Sequence, residues 1–177
     1  NSWLLHPEQG RQRRADVLSI LRREVGRASD GGVLVVATKA VLRELHSDLG
    51  HTAADNDDEA LRRPLVGAEP RWFGPGTQGV NDYEGYAAIV VIGRLQPRIT
   101  DVETVARGVF AKDDRPISVH GSGPLPPTMA QVIMADGTRR QAEAPTHPDW
   151  RAQSILAQTR ECGTLQAIAR LRPASPN

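Results

Sequence analysis

The sequence predicts an α/β domain: a mostly parallel sheet covered by helices on both faces, with a β-hairpin inserted late in the chain. Three observations carry this expectation. The runs Val33-Leu34-Val35-Val36-Ala37 and Ala87-Ala88-Ile89-Val90-Val91-Ile92-Gly93 are continuously apolar, as strands buried on both faces are. Segments with helical spacing of apolar residues alternate with them, the arrangement of parallel sheets. Asp136-Gly137 separates two strand-like segments, 131–135 and 139–144, the pattern of a tight hairpin.

Residues 8–27 read as an amphipathic helix, with Val17, Leu18, Leu21 and Val25 on one face and Arg22, Arg23 and Arg27 elsewhere. Ser29-Asp30-Gly31-Gly32 ends it. After the first apolar run, Thr38 is placed to cap a helix. That helix carries Val41, Leu42, Leu45 and Leu49 on one side and stops at Gly50. A short strand is expected within 65–73, and a Gly- and Asn-rich loop over 74–85. Residues 101–112 read as a helix capped by Thr100, with Val102, Val105, Ala106, Val109 and Phe110 inward. Ile117-Ser118-Val119 reads as a short strand, followed by a Gly/Pro loop over 121–127. Asp149 caps a helix running to Glu161. A last helix runs from Thr164 to Leu171, with Ile168 and Leu171 on its buried side. Residues 1–29 then form a leading helix and residues 30–177 the domain proper, its hairpin insertion at about 117–148.

The chain's 177 residues fit one ordinary domain, and 39% hydrophobic with 24% charged residues is a globular balance. Aromatics make up 4%, so the core must be aliphatic. With 22 basic and 21 acidic residues the net charge is +1. That excludes bulk electrostatic capture of nucleic acid or of a membrane, while leaving room for a local basic groove. The single cysteine, Cys162, allows no internal disulfide and suits a reducing cytoplasm. No apolar run approaches the ~20 residues of a membrane-spanning helix, and no signal-peptide pattern opens the chain. The opening at Asn1 reads as already inside a longer protein.

Several motifs are excluded by context. Gly74-Pro75-Gly76-Thr77-Gln78-Gly79 matches the letters of the dinucleotide fingerprint. No apolar helix follows it, and the next strand begins too soon for a crossover helix. A turn-forming loop is the better reading. No G-x-x-x-x-G-K-[ST] occurs, so the chain has no phosphate cradle of its own. His6, His46, His51, His120 and His147 show no metal-ligand spacing, and His46 and His51 are expected to face different directions across a helix end. Asp55-Asn56-Asp57-Asp58-Glu59 lacks the Gly and distal Glu of a calcium loop. Cys162, placed between two helices, reads as a buried structural thiol.

The segment that points to chemistry is Gln166-Ala167-Ile168-Ala169-Arg170-Leu171-Arg172-Pro173, with Gln166 and Arg170 on one helical face. Arginines there can meet an anion across a cleft, where they would stabilise a transferring phosphoryl group. The segment resembles motif VI of superfamily 2 helicases, Gln-x-x-Gly-Arg-x-x-Arg. Ala169 stands for the usual Gly, and the second Arg comes one position early. In the order that family requires, Val33–Ala37 with Thr38-Lys39 is similar to the strand and turn opening the second RecA-like lobe. The loop 73–84 with its following strand is similar to motif V. The resemblance spans roughly residues 31–173, and residues 117–148 have no counterpart in it.

The resemblance implies a RecA-like, P-loop-superfamily second lobe of a nucleic-acid-dependent ATPase, inactive alone. Its ATP and Mg would be held with an N-terminal RecA-like lobe of the same parent protein. Arg170 and Arg172, with Gln166, would reach the nucleotide's terminal phosphates. Gly79 and Asn81 would line the cleft, and Thr38 and Lys39 would contact the backbone of DNA or RNA. Two other readings compete. One is a non-catalytic RecA-like binding or assembly module of a replication or mobile-element protein. The other is an unrelated α/β small-molecule enzyme with a pocket built from Thr38, Asn81 and Asp82.

Overall fold

A computed structural model of the chain describes residues 2–5, 9–28, 31–51, 58–74 and 85–169. The chain divides into two compact units, Asn1–Leu95 with Glu161–Asn177, and Gln96–Arg160. Among the described residues the folds are those of a small α/β protein, with one three-stranded and one two-stranded sheet.

The first unit contains α1 (Ser2–Leu5), α2 (Gln9–Arg27), β1 (Val33–Ala37), α3 (Lys39–Asp48), a 3-10 turn at Ala60–Arg62, β2 (Glu69–Trp72) and β3 (Ala88–Val91). β1 is central. It pairs in parallel with β2, Leu34 opposite Glu69, and with β3, Val33 opposite Ala88. All five of its residues are buried. Side chains alternate across a strand, and the two faces of β1 meet different partners. Val33, Val35 and Ala37 pack with Leu18 and Leu21 of α2 and with Val41, Leu42 and Leu45 of α3. Leu34 and Val36 pack with Phe73, Tyr86, Ile89 and Ala167. β3 is half-buried along its whole length, where its apolar run predicted burial on both faces. It has a strand neighbour on one side only.

Two glycines are needed where β1 and β3 begin. A Cβ on Gly31 would lie 2.5 Å from the Ala87 Cβ, and one on Gly32 would lie 2.7 Å from the Tyr86 ring. A different device sits before β2. Leu65 and Ala68 exchange two 2.8 Å backbone hydrogen bonds around Val66 and Gly67, both at positive φ. Val66, at φ 48°, holds a conformation that β-branched residues avoid. Arg14, buried in α2, donates to both oxygens of Asp48 (2.6 and 3.2 Å) and to the Leu4 carbonyl (2.6 Å), which ties α2 to α3.

The second unit contains α4 (Ile99–Val109), β4 (Pro127–Ile133), β5 (Arg139–Pro145) and the first part of α5 (Trp150–Ala169). Its core is Val102, Ala106, Ile117, Ala152 and Leu156, joined by Ile99, Phe110, Leu125 and Ile155. α4 starts two residues earlier than the sequence implied. Arg98 takes the cap position in extended backbone, and Thr100 lies inside the helix. Val105 and Val109 are exposed, not inward, because α4 buries a narrower stripe that includes the carboxylate of Glu103. Residues 117–119 form no strand. The Ser118 N–H is taken by the Asp149 carboxylate at 2.9 Å. β4 and β5 pair antiparallel from Pro127↔Pro145 to Ile133↔Arg139. Gly137 supplies a positive φ at the turn, and Asp136 accepts from the Thr138 N–H at 2.9 Å.

The break expected at Cys162-Gly163 is absent, and one helix runs from Trp150 to Ala169. A helical glycine costs only about 1 kcal/mol, which packing can offset. Here Gly163 lies close to Leu95, where an added Cβ would sit 3.5 Å away. Cys162 is therefore exposed on a helix, and not a buried thiol. Ile168 is exposed and Ala167 takes the buried position expected of it; Leu171 lies outside the described residues. Among the described residues no helix is long and apolar enough to cross a membrane.

Candidate functional site

In open parallel sheets ligands bind outside the carboxyl ends of the strands, where the strand order reverses. The chain passes from β1 to β2 on one side and then to β3 on the other, so the strand order reverses at β1. The Phe73 N–H donates to the Ala37 carbonyl at 3.1 Å, and the Ile92 N–H donates to the Val36 carbonyl at 2.8 Å. The segments leaving β2 and β3 are thus held beside the one leaving β1.

Thr38 follows β1 in extended backbone, and its Oγ1 accepts from the Val41 N–H at 3.4 Å, capping α3. Lys39 Nζ donates to both carboxylate oxygens of Asp58, at 2.7 and 2.8 Å. It also stands 4.8 Å from the centroid of the Trp72 ring, with the Arg62 guanidinium carbon at 5.8 Å. Two cations, one carboxylate and the open end of a helix therefore meet around a largely buried indole.

Gln166 is exposed on α5, beside Ala167, which packs on Leu34 and Val36. No hydrogen bond joins it to Thr38 or Lys39. Gly79, Asn81, Arg170 and Arg172 lie outside the described residues, as do Asp82 and most of the Gly/Asn loop.

The residues that sequence reasoning missed are buried polar groups. In the second unit, Glu103 is 1% exposed. Its Oε1 accepts from the backbone N–H groups of His120 and Gly121 (3.0 Å for the latter) and from His147 Nε2 at 3.1 Å. His147 Nδ1 lies 3.0 Å from the Asp149 backbone nitrogen and 3.2 Å from its carbonyl oxygen, while Nε2, facing a carboxylate, is the donor to Glu103. Burial alone would raise the Glu103 carboxyl. The hydrogen bonds from Gly121, His147 and His120 more than offset it, and the group lies below the usual range. The bond from Arg151 holds the Asp149 carboxyl far below its usual range against the opposing effect of burial. Arg151 reaches on to the carbonyls of Arg115 (2.7 Å) and Pro116 (3.0 Å). These groups spend their hydrogen bonds on the connecting segment 113–121 and hold it to α4 and α5. A cleft of about 540 Å³ opens beside it, and its charged lining residues, Arg98 and Arg160, are both cationic.

His46 and His51 face each other, Nδ1 to Nδ1 at 3.2 Å, contrary to the expectation that they diverge. Gly50, at φ 75°, turns the chain back so that the His51 N–H bonds the His46 carbonyl at 2.9 Å. That return is a common way to close a helix, and Gly50 was the signal for it. Burial, foremost, lowers the His46 pKa, against a hydrogen bond to the Leu61 carbonyl; the charges of His51 and Arg63 lower it further. Among the described residues no group of three His, Cys, Asp or Glu is placed to hold a metal ion. Searches of protein-family models, curated proteins and solved structures each found no match to the chain.

Proposed function

We propose that the chain is the second lobe of a RecA-like, nucleic-acid-dependent ATPase, and that the carboxyl edge of its parallel sheet is the working surface. The observation that carries this reading is the cluster at the end of β1. Thr38 and Lys39 open α3 where such sheets take ligands, and Arg62 adds a second cation beside Trp72. The residues here do not fit Mg–ATP by themselves. The sequence has no phosphate loop, and Asp58, a carboxylate beside Lys39, is engaged by it. In this reading nucleotide and metal sit on a partner lobe, Arg170 and Arg172 complete the site, and Lys39 contacts a nucleic-acid phosphate after leaving Asp58.

The test has two arms. Fluorescently labelled single-stranded DNA and RNA are titrated with the chain at low salt, then with Lys39→Ala. The reading expects salt-dependent binding that weakens several-fold in the variant. Binding that Lys39→Ala leaves unchanged removes the proposed surface. In the parent protein carrying both lobes, Arg170→Ala should abolish stimulated ATP hydrolysis, and unchanged hydrolysis ends the motor reading. The ion pair between Lys39 and Asp58 favours a second reading, a binding or assembly module without catalysis. That module predicts normal assembly of the parent protein and no ATPase activity.

A further inference from the structure

Both strands of the β4–β5 hairpin are exposed along nearly their whole length. Of its strand residues only Ala130 and Ala144 are even half-buried, and Met129, Val132 and Ile133 are 55%, 43% and 71% exposed. A two-stranded hairpin alone is marginal in water, and three or more strands are needed for independent stability. Its free edges are also templates for another strand. The Met134 N–H donates to the Thr138 carbonyl, and the Thr146 N–H donates to the Pro126 carbonyl. With the observed register, even-numbered residues of β5 therefore direct their N–H and C=O toward β4. Arg139, Gln141 and Glu143 direct theirs out of the open edge.

We infer that the open edge of β5 pairs antiparallel with β5 of a second copy of this chain, about a two-fold axis at Gln141. Charge and backbone chemistry select both the occupant and the register. Centred on Gln141, Arg139 of each copy stands directly opposite Glu143 of the other. Two ion pairs then flank a Gln141–Gln141 contact, and the three outward residues can form about six main-chain hydrogen bonds across the axis. Sliding the centre to Arg140 sets that residue against itself. Sliding it to Ala142 brings Pro145, which has no N–H, opposite Arg139. In the favoured register the two Arg140 side chains lie diagonally on the other face, a cost smaller than direct opposition. The joined sheet has the order β4-β5-β5-β4. It lines up Ile133, Arg139, the partner copy's Glu143 and its Met129 in one cross-strand row, and Gln131 and Gln141 of both copies in the next. The charges on this edge thus discourage arbitrary strands while admitting one self-complementary partner.

Sedimentation equilibrium of the chain, from micromolar to near-millimolar, tests the inference, with hydrogen exchange run in parallel. A monomer–dimer equilibrium is expected, and the amides of Arg139, Gln141 and Glu143 should gain protection as concentration rises. Gln141→Pro removes an outward N–H and leaves the β4–β5 ladder intact, so dimerisation should weaken at least 100-fold while the circular dichroism spectrum is kept. Arg139→Glu and Glu143→Arg should each weaken it at least tenfold, and the double charge swap should restore it. That restoration keeps the test decisive if the proline variant misfolds. A chain that stays monomeric throughout overturns the inference, and would mean that the edge serves a strand of some other protein or none. A dimer indifferent to the charge changes overturns it equally.

Discussion

β1 and the β4–β5 hairpin are opposite solutions to the same backbone problem. Every residue of β1 is buried, its two faces are covered by different layers, and both its edges are paired. The hairpin is exposed on both faces and paired along one edge per strand. A parallel strand joined by crossovers depends on packing, whereas a hairpin depends on its turn and its ladder. Substitutions should therefore cost most at the sheet and least at the hairpin, with the buried polar network of the second unit between them.

The largest effect is expected at the layer that covers β1. Leu42→Ala should lower stability by about 3 kcal/mol, read as a fall in the urea midpoint; a loss below about 1 kcal/mol would mean that this layer is not the core. Glu103→Leu should cost about 2 kcal/mol, because it strands the donors of His120, Gly121 and His147. Amide exchange at Gly121 should rise sharply in that variant, and unchanged exchange would break the proposed link between α4 and the loop. Gly32→Ala drives a methyl into the Tyr86 ring and should cost about 2 kcal/mol, visible in the same denaturation assay. Val132→Thr on the hairpin should change stability by no more than about 0.5 kcal/mol; a larger loss would show that the hairpin's apolar side chains are packed against something.

The smallest effect follows pH. The folded His46 pKa lies below its unfolded value, so the unfolded chain binds more protons as the solution acidifies. The contribution of neutral His46 is complete above the ordinary histidine range and is lost as pH falls from that range toward the lower folded value. Urea midpoints should therefore fall between pH 8 and 5.5. Glu103 has the same sign in a more acidic window: its contribution holds above the usual carboxylate range and is lost as pH falls toward its depressed folded value. A midpoint that rises on acidification through the histidine range would contradict the burial of His46.

What was legible in the sequence was local. Five consecutive apolar residues announced β1, Thr38 announced the start of α3, and Asp136-Gly137 announced the turn between β4 and β5. What was not legible depended on distant partners. Glu103 carried no signal of its own, because its donors lie in the loops at 120–121 and 147, many residues away. Gly163 looked like a helix stop, but α5 continues to Ala167, which packs on β1. The two histidines looked divergent until Gly50 reversed the chain between them. At the candidate site, Thr38 could be placed from sequence. The engagement of Lys39 by Asp58 could not, since nothing local predicts which carboxylate will reach a lysine 19 residues away.

Trp72 gives the carboxyl edge an optical consequence. Its indole is largely shielded from solvent and lies within 6 Å of the charges of Lys39 and Arg62, whereas Trp150 is 68% exposed. Iodide should quench Trp150 readily and leave Trp72 emitting at shorter wavelength. With Trp3→Phe and Trp150→Phe, the remaining emission becomes an intrinsic probe of whatever draws Lys39 away from the ring. Occupancy of this surface could then be followed in real time, without a label and before the occupant's identity is known.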